Sequence, residues 1–545
     1  MLGSSRSWQS TISESLRKDP SQPRSGRPPG GGARVTEFTS MNPATDNLSS
    51  TNTDGRHDRR DPIVLVLLLT LAAGLFLRLN IGLADNGDYT RAMGWITSGP
   101  ATIQENWPPA NSEQFNRRFY HYWIPYWKLD WPGKPQVLTS TALLWAPGAF
   151  LNSVFYSPRV LCLPVMSLVP RFALILLAVV AIRWIGQCGS GFVFCTIVKL
   201  LLGVPLVLIL MATDYVRFFN TFYRETGTLV FLLWFLAGLV MLARTRHPGR
   251  AYLACGIALL LLTTAKVSNV YWPLVALPLL FLAPHKRRSR ARALGVFLVS
   301  AAVAAAAFPF AEVRWMREND AFLSLYSGVL TFSNHPAEHL ARLGVRDTVG
   351  MVGQSSFTPG PAAWLRAHPG KLSHLAALNV ILHEPVVEIR AMRSAAAAMQ
   401  DIFAPTAALG ERAEGDPTPR ARWLPQELWS RLKASAFPRG DALFVALVVC
   451  AVVFIGGLRG SGFVRELSLV GLAVSVACPI DMAVQVFGAG TNDLARHLLI
   501  ANFLFDLAVV ALMGVSAMSI VRLITRTRKT REVATVHGRQ CGPNR

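Results

Sequence analysis

Three short clusters hold most of the residues that could do acid–base or anion chemistry. The first is Ala84-Asp85-Asn86-Gly87-Asp88-Tyr89-Thr90-Arg91, directly after a long apolar stretch. Two acids and an arginine leave the lipid together there. A carboxyl at a membrane boundary loses water, and its pKa tends to rise. That suits a general base acting on a sugar hydroxyl. Asn-Gly-Asp is also ordinary turn chemistry, so a plain helix stop competes with this reading. The second cluster is Asp214-Tyr215-Val216-Arg217 followed by Phe222-Tyr223-Arg224-Glu225-Thr226. Arg224 offers a planar fork of donors to a phosphate, and Glu225 could orient it or accept a proton. An interfacial anchor with an ion pair is the alternative. The third cluster is Gly488-Ala489-Gly490-Thr491-Asn492-Asp493, then Arg496-His497. Glycines let a backbone approach a ligand closely, and Arg496 and His497 add capacity for an anion. A flexible turn is the alternative, and the lysine and hydroxyl residue of a phosphate loop are missing. Lys266, alone within an apolar run, either snorkels or pairs with a phosphate.

The elements that must position these residues are membrane helices. Apolar residues make up 51% of 545 and charged residues only 16%. A soluble body this apolar would have too few charges to cover its surface. Ten stretches are long enough to read as transmembrane helices: 62–83, 161–182, 191–211, 227–243, 251–265, 267–283, 293–311, 441–458, 467–486 and 498–520. The expected fold class is therefore an all-α polytopic membrane protein with about ten transmembrane helices and two large extracytoplasmic segments. Lysine and arginine clusters at 56–60, 244–250, 286–292, 459–465 and 522–531 then all fall on one side. That side is the cytoplasm, with both termini inside. Residues 1–61, rich in Ser, Arg, Pro and Gly, read as a disordered cytoplasmic tail. Residues 62–311 form a membrane domain of about seven helices with an extracytoplasmic loop at 84–137. A second extracytoplasmic segment spans 312–440, about three helices span 441–520, and 521–545 is a basic cytoplasmic tail. The apolar stretch 138–156 contains Pro147 and Gly148 and reads as re-entrant or interfacial.

Composition also removes several function classes. The net charge of +22 is largely a topology signal, helped by contact with anionic membrane lipids. No groove-reading or base-stacking module is visible, so no nucleic-acid partner is expected. Of 7 cysteines, five (162, 195, 255, 450 and 478) lie in expected spans and two (188 and 541) in cytoplasmic segments, so no outside disulfide is expected. The aromatic stretch Arg118–Trp131 reads as an interface belt, with sugar stacking as the alternative. His335 and His339 have helical spacing, but the run His-Pro-Ala-Glu-His lacks the acid of a zinc-protease signature. No metal and no cofactor are expected.

The motifs ADNGDYTR, FNTFYRET and GAGTNDLARHLLIANFLFD, set on many spans, resemble those of the GT-C class of membrane glycosyltransferases. They are closest to bacterial glycan hexosyltransferases of the S-layer-glycan type, over about residues 62–520. The second motif of that group usually has Ser-Glu-Pro where this chain has Arg224-Glu225-Thr226, and the third has Gly-Asp-Gly at Gly488-Ala489-Gly490. The resemblance implies transfer of a sugar from a polyprenyl-phosphate-linked donor to a glycan or lipid acceptor at the outer face of the bacterial cytoplasmic membrane. It implies Asp85 or Asp88 as general base, and Arg91, Arg224, Lys266 or Arg496 holding the lipid phosphate. Glu225, Asp493 and His497 complete the substrate-binding set. A one-step displacement would invert the anomeric carbon, and a single-phosphate leaving group requires no metal. The alternatives are a lipid-glycan transporter or flippase, or an oligosaccharide ligase or polymerase. The ligase reading would place the reactive groups at Arg342, His339 and His383.

Overall fold

The computed structural model describes residues 61–540, apart from 78, 80, 86–90, 101–121, 132, 134–135, 188–191, 246–247, 283–288, 400–423, 438–439, 461 and 492–493. The expected tail 1–60 lies outside the described residues, as do Asp88, Asp493 and Cys188.

In chain order the helices begin with α1 (Pro62–Phe76), α2 (Ala142–Phe155), α3 (Leu168–Gly186), α4 (Phe192–Leu210) and α5 (Glu225–Arg244). There follow α6 (Pro248–Ala265), α7 (Trp272–Leu282), α8 (Ser289–Ala311) and α9 (Arg314–Phe322). Next come α10 (Pro336–Arg342), α11 (Pro359–Ala367), α12 (His374–His383), α13 (Val386–Ala398) and α14 (Leu424–Ala436). The last three long helices are α15 (Gly440–Gly457), α16 (Phe463–Ala489) and α17 (Leu499–Gln540). Seven helices are long and apolar enough to cross a membrane, and eight if Phe194–Leu210 and Thr213–Asn220, bent by 44°, are one span. The chain is thus a multi-pass, all-α membrane protein.

All ten apolar stretches are helical, but two are too short to cross unaided. The α1 helix has 15 residues and is capped at its start by the Asp61 carboxylate. At 1.5 Å per residue it reaches about 22 Å, short of the roughly 30 Å apolar layer. After its end residues 81–85 are no longer helical, and side chains from elsewhere bond carbonyls on both sides of the stop. Asn220 Nδ2 donates to the carbonyls of Leu79 and Ile81, at 2.5 and 2.6 Å. The buried Arg171 donates to the Leu75 carbonyl, and Tyr223 Oη donates to that of Ala84 at 2.7 Å. The second short piece is a 3₁₀ turn, Val267–Tyr271, leading into α7. Lys266 is extended between α6 and this turn, as expected for two short helices joined there. At its far end α17 runs unbroken to Gln540, well past the expected end of the last span.

The expected loop 84–137 contributes two strands of a small sheet. Strand β2 (Tyr126–Leu129) pairs antiparallel with both β1 (Thr97–Pro100) and β3 (Val160–Cys162). Cys162 therefore ends a strand rather than sitting inside a span. The sheet packs on α2 through Trp127, Trp145, Leu161, Met166 and Phe222. Of the expected aromatic belt, Trp123 and Trp127 are buried, while Tyr126 and Trp131 are exposed. The α2 helix has 14 residues and shows Leu143, Phe150, Val154 and Phe155 outward, which fits an interfacial rather than a spanning segment.

Two further cores lie beside this one. The bundle of spans shares one large core. A third core joins the helices of the segment after α8, around Phe322, Tyr326, Leu340, Val380 and Val387.

Candidate functional site

The site is built on the extended chain that leaves α1. Gly82 makes the close approach possible: a Cβ there would lie 2.1 Å from Trp123 Nε1. Trp123 Nε1 in turn donates to the Asn220 carbonyl at 3.0 Å. These contacts deliver Asp85, 3% exposed, beside the second motif.

The second motif is divided between two places. Its latter half lies by the chain that leaves α1, where Tyr223 Oη bonds the Ala84 carbonyl. Glu225 opens α5 and receives Lys266 Nζ at 2.9 Å, with the two side chains 3% and 10% exposed. Lys266 thus neither snorkels nor stands open; its partner in this structure is Glu225. Arg224 is 9% exposed, and its carbonyl accepts from Thr141 Oγ1 at 3.4 Å. The turn before α2 locks this corner further. Thr139 Oγ1 donates to the Ala265 carbonyl at 2.7 Å and Ser140 Oγ to that of Leu261 at 2.5 Å. The first half of the motif goes elsewhere. Asp214 accepts from Ser430 Oγ at 2.8 Å, and Tyr215 Oη donates to Asp506 at 2.6 Å. Asp506 also receives Lys433 Nζ at 2.8 Å. That second, buried polar group fastens α14 onto α17 and the end of α4.

The third motif supplies Arg496 and His497, and its Gly490 is packed against protein backbone. Gly490 has φ +64° and ψ −150°, and a Cβ there would fall 2.5 Å from the Leu323 carbonyl and 2.8 Å from Gly328 N. The backbone that approaches it is a π-helix, Leu323–Val329. Thr491 seals the joint through its N–H and Oγ1 to the Ser327 carbonyl, at 3.3 and 3.0 Å. Beyond the joint, the Arg496 guanidinium stacks 4.7 Å from the centre of the Tyr223 ring and donates to His497 Nε2 at 3.3 Å.

Arg91 and a residue without a motif complete the group. The Arg91 guanidinium lies 5.9 Å from the Trp315 ring, just after α8. Glu312, half-buried at that same corner, feels the charges of Arg224, Arg317, Arg91 and Lys266. Burial raises its carboxyl above the usual range, against the pull of those four cations. His497 is held well below the ordinary imidazole value by burial, and Arg496, Lys266, Arg224 and Arg91 press it the same way. It is a neutral imidazole at pH 7. The same three cations therefore act on both Glu312 and His497. Arg91, Arg224, Lys266, Arg496 and His497, from four separate stretches of sequence, share one electrostatic neighbourhood with Glu225 and Glu312. Sequence spacing gave no sign of Glu312 or Arg317; only the placement of α8 brings them in.

The histidines of the expected ligase reading are occupied otherwise. His339 Nε2 lies 3.2 Å from Glu384, which also accepts from Ser333 Oγ at 2.6 Å. His383 is exposed and sits 2.8 Å from the Asn379 carbonyl. Among the described residues no group of three His, Cys, Asp or Glu is placed to hold a metal.

The opposite end of the bundle carries a different network. Glu466 accepts from Arg244 Nε and Trp184 Nε1, each at 2.7 Å, and Lys199 pairs with Asp61. Asp61, Trp184, Arg244 and Glu466 lie at or next to helix ends that the basic clusters assign to one side.

Comparison with known proteins gives one match. The family model described as the YfdI N-terminal transmembrane domain covers residues 56–535. No curated protein and no solved structure matches the chain.

Proposed function

The chain belongs to the family of the YfdI N-terminal transmembrane domain, and on that premise we propose that it is a membrane glycosyltransferase. It moves a sugar from a polyprenyl-phosphate-linked donor to a glycan or lipid acceptor. It works at the outer face of a bacterial cytoplasmic membrane, with both termini in the cytoplasm. The reading rests on one observation. Arg91, Arg224, Lys266 and Arg496 converge with carboxylates at one end of an apolar helix bundle. A lipid-linked donor has its tail in the bilayer and its phosphate at the interface. Cations at that depth can hold the phosphate as the sugar leaves it, and guanidinium forks suit phosphate geometry. Stabilising the charge that develops on the leaving oxygen is the largest expected contribution to rate. The acceptor hydroxyl attacks the anomeric carbon, its proton goes to a carboxylate of the rim, and the configuration inverts. Asp85 and Asp88 are the carboxylates that the motif resemblance implies; Asp493 belongs to the same expected set. Neutral His497 offers a donor or an acceptor without adding charge.

The test follows labelled sugar in membranes of cells that make the protein. Arg224→Ala and Arg496→Ala should each lower transfer from the lipid-linked pool to glycan by about 100-fold or more, as for loss of one charge-stabilising donor. Arg244→Ala, at the opposite end, should not. Equal transfer by all three variants would remove the reading. Sugar crossing vesicles with no glycosidic bond formed would make the protein a transporter instead.

A further inference from the structure

We propose that Glu312 is the group that takes the acceptor's proton, a role that rests on the glycosyl-transfer reading. Asp85 is poorly suited to it. The residue is 3% exposed, at the end of a chain pinned by Asn220 and Tyr223. An acceptor hydroxyl must come within hydrogen-bond reach of the base, roughly 2.6–3.2 Å. Glu312 meets that need better. It stands at the outer end of α8, half-buried and open to solvent on one side. Neighbouring backbone fixes the corner: the Leu138 N–H donates to the Phe310 carbonyl at 3.1 Å, and Val313 packs against the core of the small sheet. Among the described residues it makes no hydrogen bond or ion pair, yet it is surrounded by Arg224, Arg317, Arg91 and Lys266.

That setting makes the base depend on the donor. With the site empty, four cations partly offset the burial that raises the Glu312 carboxyl. A phosphate seated among them neutralises their field. Burial then acts with less opposition, and Glu312 gains further affinity for a proton at the moment one has to be taken. In the step itself the acceptor O–H proton passes to a Glu312 carboxylate oxygen. The acceptor oxygen bonds to the anomeric carbon, the bond from that carbon to the phosphate oxygen breaks, and its electron pair leaves on polyprenyl phosphate. The product state therefore holds a protonated Glu312 beside polyprenyl phosphate.

Polyprenyl phosphate is the product whatever the sugar, so it serves as the probe. Binding is measured by calorimetry on protein in lipid nanodiscs at about pH 8, in buffers of different ionisation enthalpy. Transfer of labelled sugar is followed in cell membranes alongside. The wild type should take up a proton on binding, and Glu312→Gln should not. Glu312→Gln should bind polyprenyl phosphate about 10-fold more tightly, because a repelling charge is gone, while losing transfer by about 100-fold or more. Glu312→Asp, which keeps the carboxylate, should restore part of the transfer, and elution of each variant as a single species reports folding. Wild-type transfer by Glu312→Gln overturns the proposal, as does weaker or unchanged binding by it. If Arg224→Ala and Arg496→Ala bind polyprenyl phosphate like the wild type, the glycosyl-transfer reading itself fails.

Discussion

Two glycines of the third motif, two residues apart, should respond in opposite ways to the same substitution. Gly490 adopts φ +64° and ψ −150°, a region closed to residues with a side chain. Holding alanine there costs about 1–3 kcal/mol in backbone strain alone. A Cβ would also meet the Leu323 carbonyl at 2.5 Å and Gly328 N at 2.8 Å. Both are backbone atoms of the π-helix, so nothing flexible can step aside. Gly488 lies within α16, with nothing closer than 4 Å to an added Cβ. Alanine there removes helix-interior glycine and should gain about 0.5–1 kcal/mol. The two variants should therefore differ by at least about 1.5–4 kcal/mol, a factor of ten to several hundred in the unfolding equilibrium at about 1.4 kcal/mol per decade. Unfolding by SDS titration from mixed micelles, read by tryptophan fluorescence, measures that gap directly. Transfer should fall with Gly490→Ala, since Thr491 then loses Ser327 and the turn carrying Arg496 and His497 shifts. If Gly490→Ala lies within about 0.5 kcal/mol of the parent, the value expected of an ordinary surface change, the joint does not hold the turn in place.

The segment after α8 should be acid-labile through Glu384. Burial alone would raise that carboxyl, but bonds from Ser333 Oγ, the Asn334 N–H and His339 hold it below its ordinary value of 4.5. A depressed carboxylate contributes stability in full above its unfolded pKa and loses it as pH falls through the folded value. Brief pepsin digestion from about pH 5 to pH 3 should open the segment progressively in the wild type; Glu384→Gln should start less stable and show a flatter pH response. A different outcome is expected where Lys433 meets Asp506, with side chains 6% and 1% exposed. Lys433→Ala leaves Asp506 buried without its cation and should cost about 3–5 kcal/mol in SDS unfolding, whereas Lys433→Met with Asp506→Leu should recover most of that loss. Equal stability of the single and double variants would show that the pair's charges do not matter to the fold.

Hydropathy made the bundle legible because burial in lipid demands long apolar runs, and every one of the ten runs became a helix. It could not give their lengths. Residues 81–85 continue the apolar run but leave the helix, and Asn220 and Tyr223 bond carbonyls along this stretch of chain. Apolarity reports burial; the period of a short run does not report conformation. The small sheet was invisible for a related reason. Its strands have three or four residues, too few for alternation to register, and their partners lie some 30 residues away.

The site was legible wherever its chemistry was local. Asp85, Arg91, Arg224, Glu225, Lys266, Arg496 and His497 stand out as polar residues against apolar flanks, and all seven lie at one end of the bundle. The roles within the clusters were harder to read. Asp214 and Arg224 look like one motif, but the buried helical turns Thr213–Asn220 separate them: Asp214 bonds Ser430 of α14, while Arg224 acts on Glu312 and His497. Gly490 signals a close approach, and the sequence is silent on whether a ligand or the π-helix makes it. Glu312 has no motif at all. Its neighbours Arg91, Arg224 and Lys266 come from 46 to 221 residues away in sequence, and only the packing of α8 on α6 and α7, with the Leu138 N–H on the Phe310 carbonyl, makes them neighbours. A charge acquires its chemistry from the charges around it, so the residue best placed to change protonation during the reaction is also the one that no local pattern could reveal.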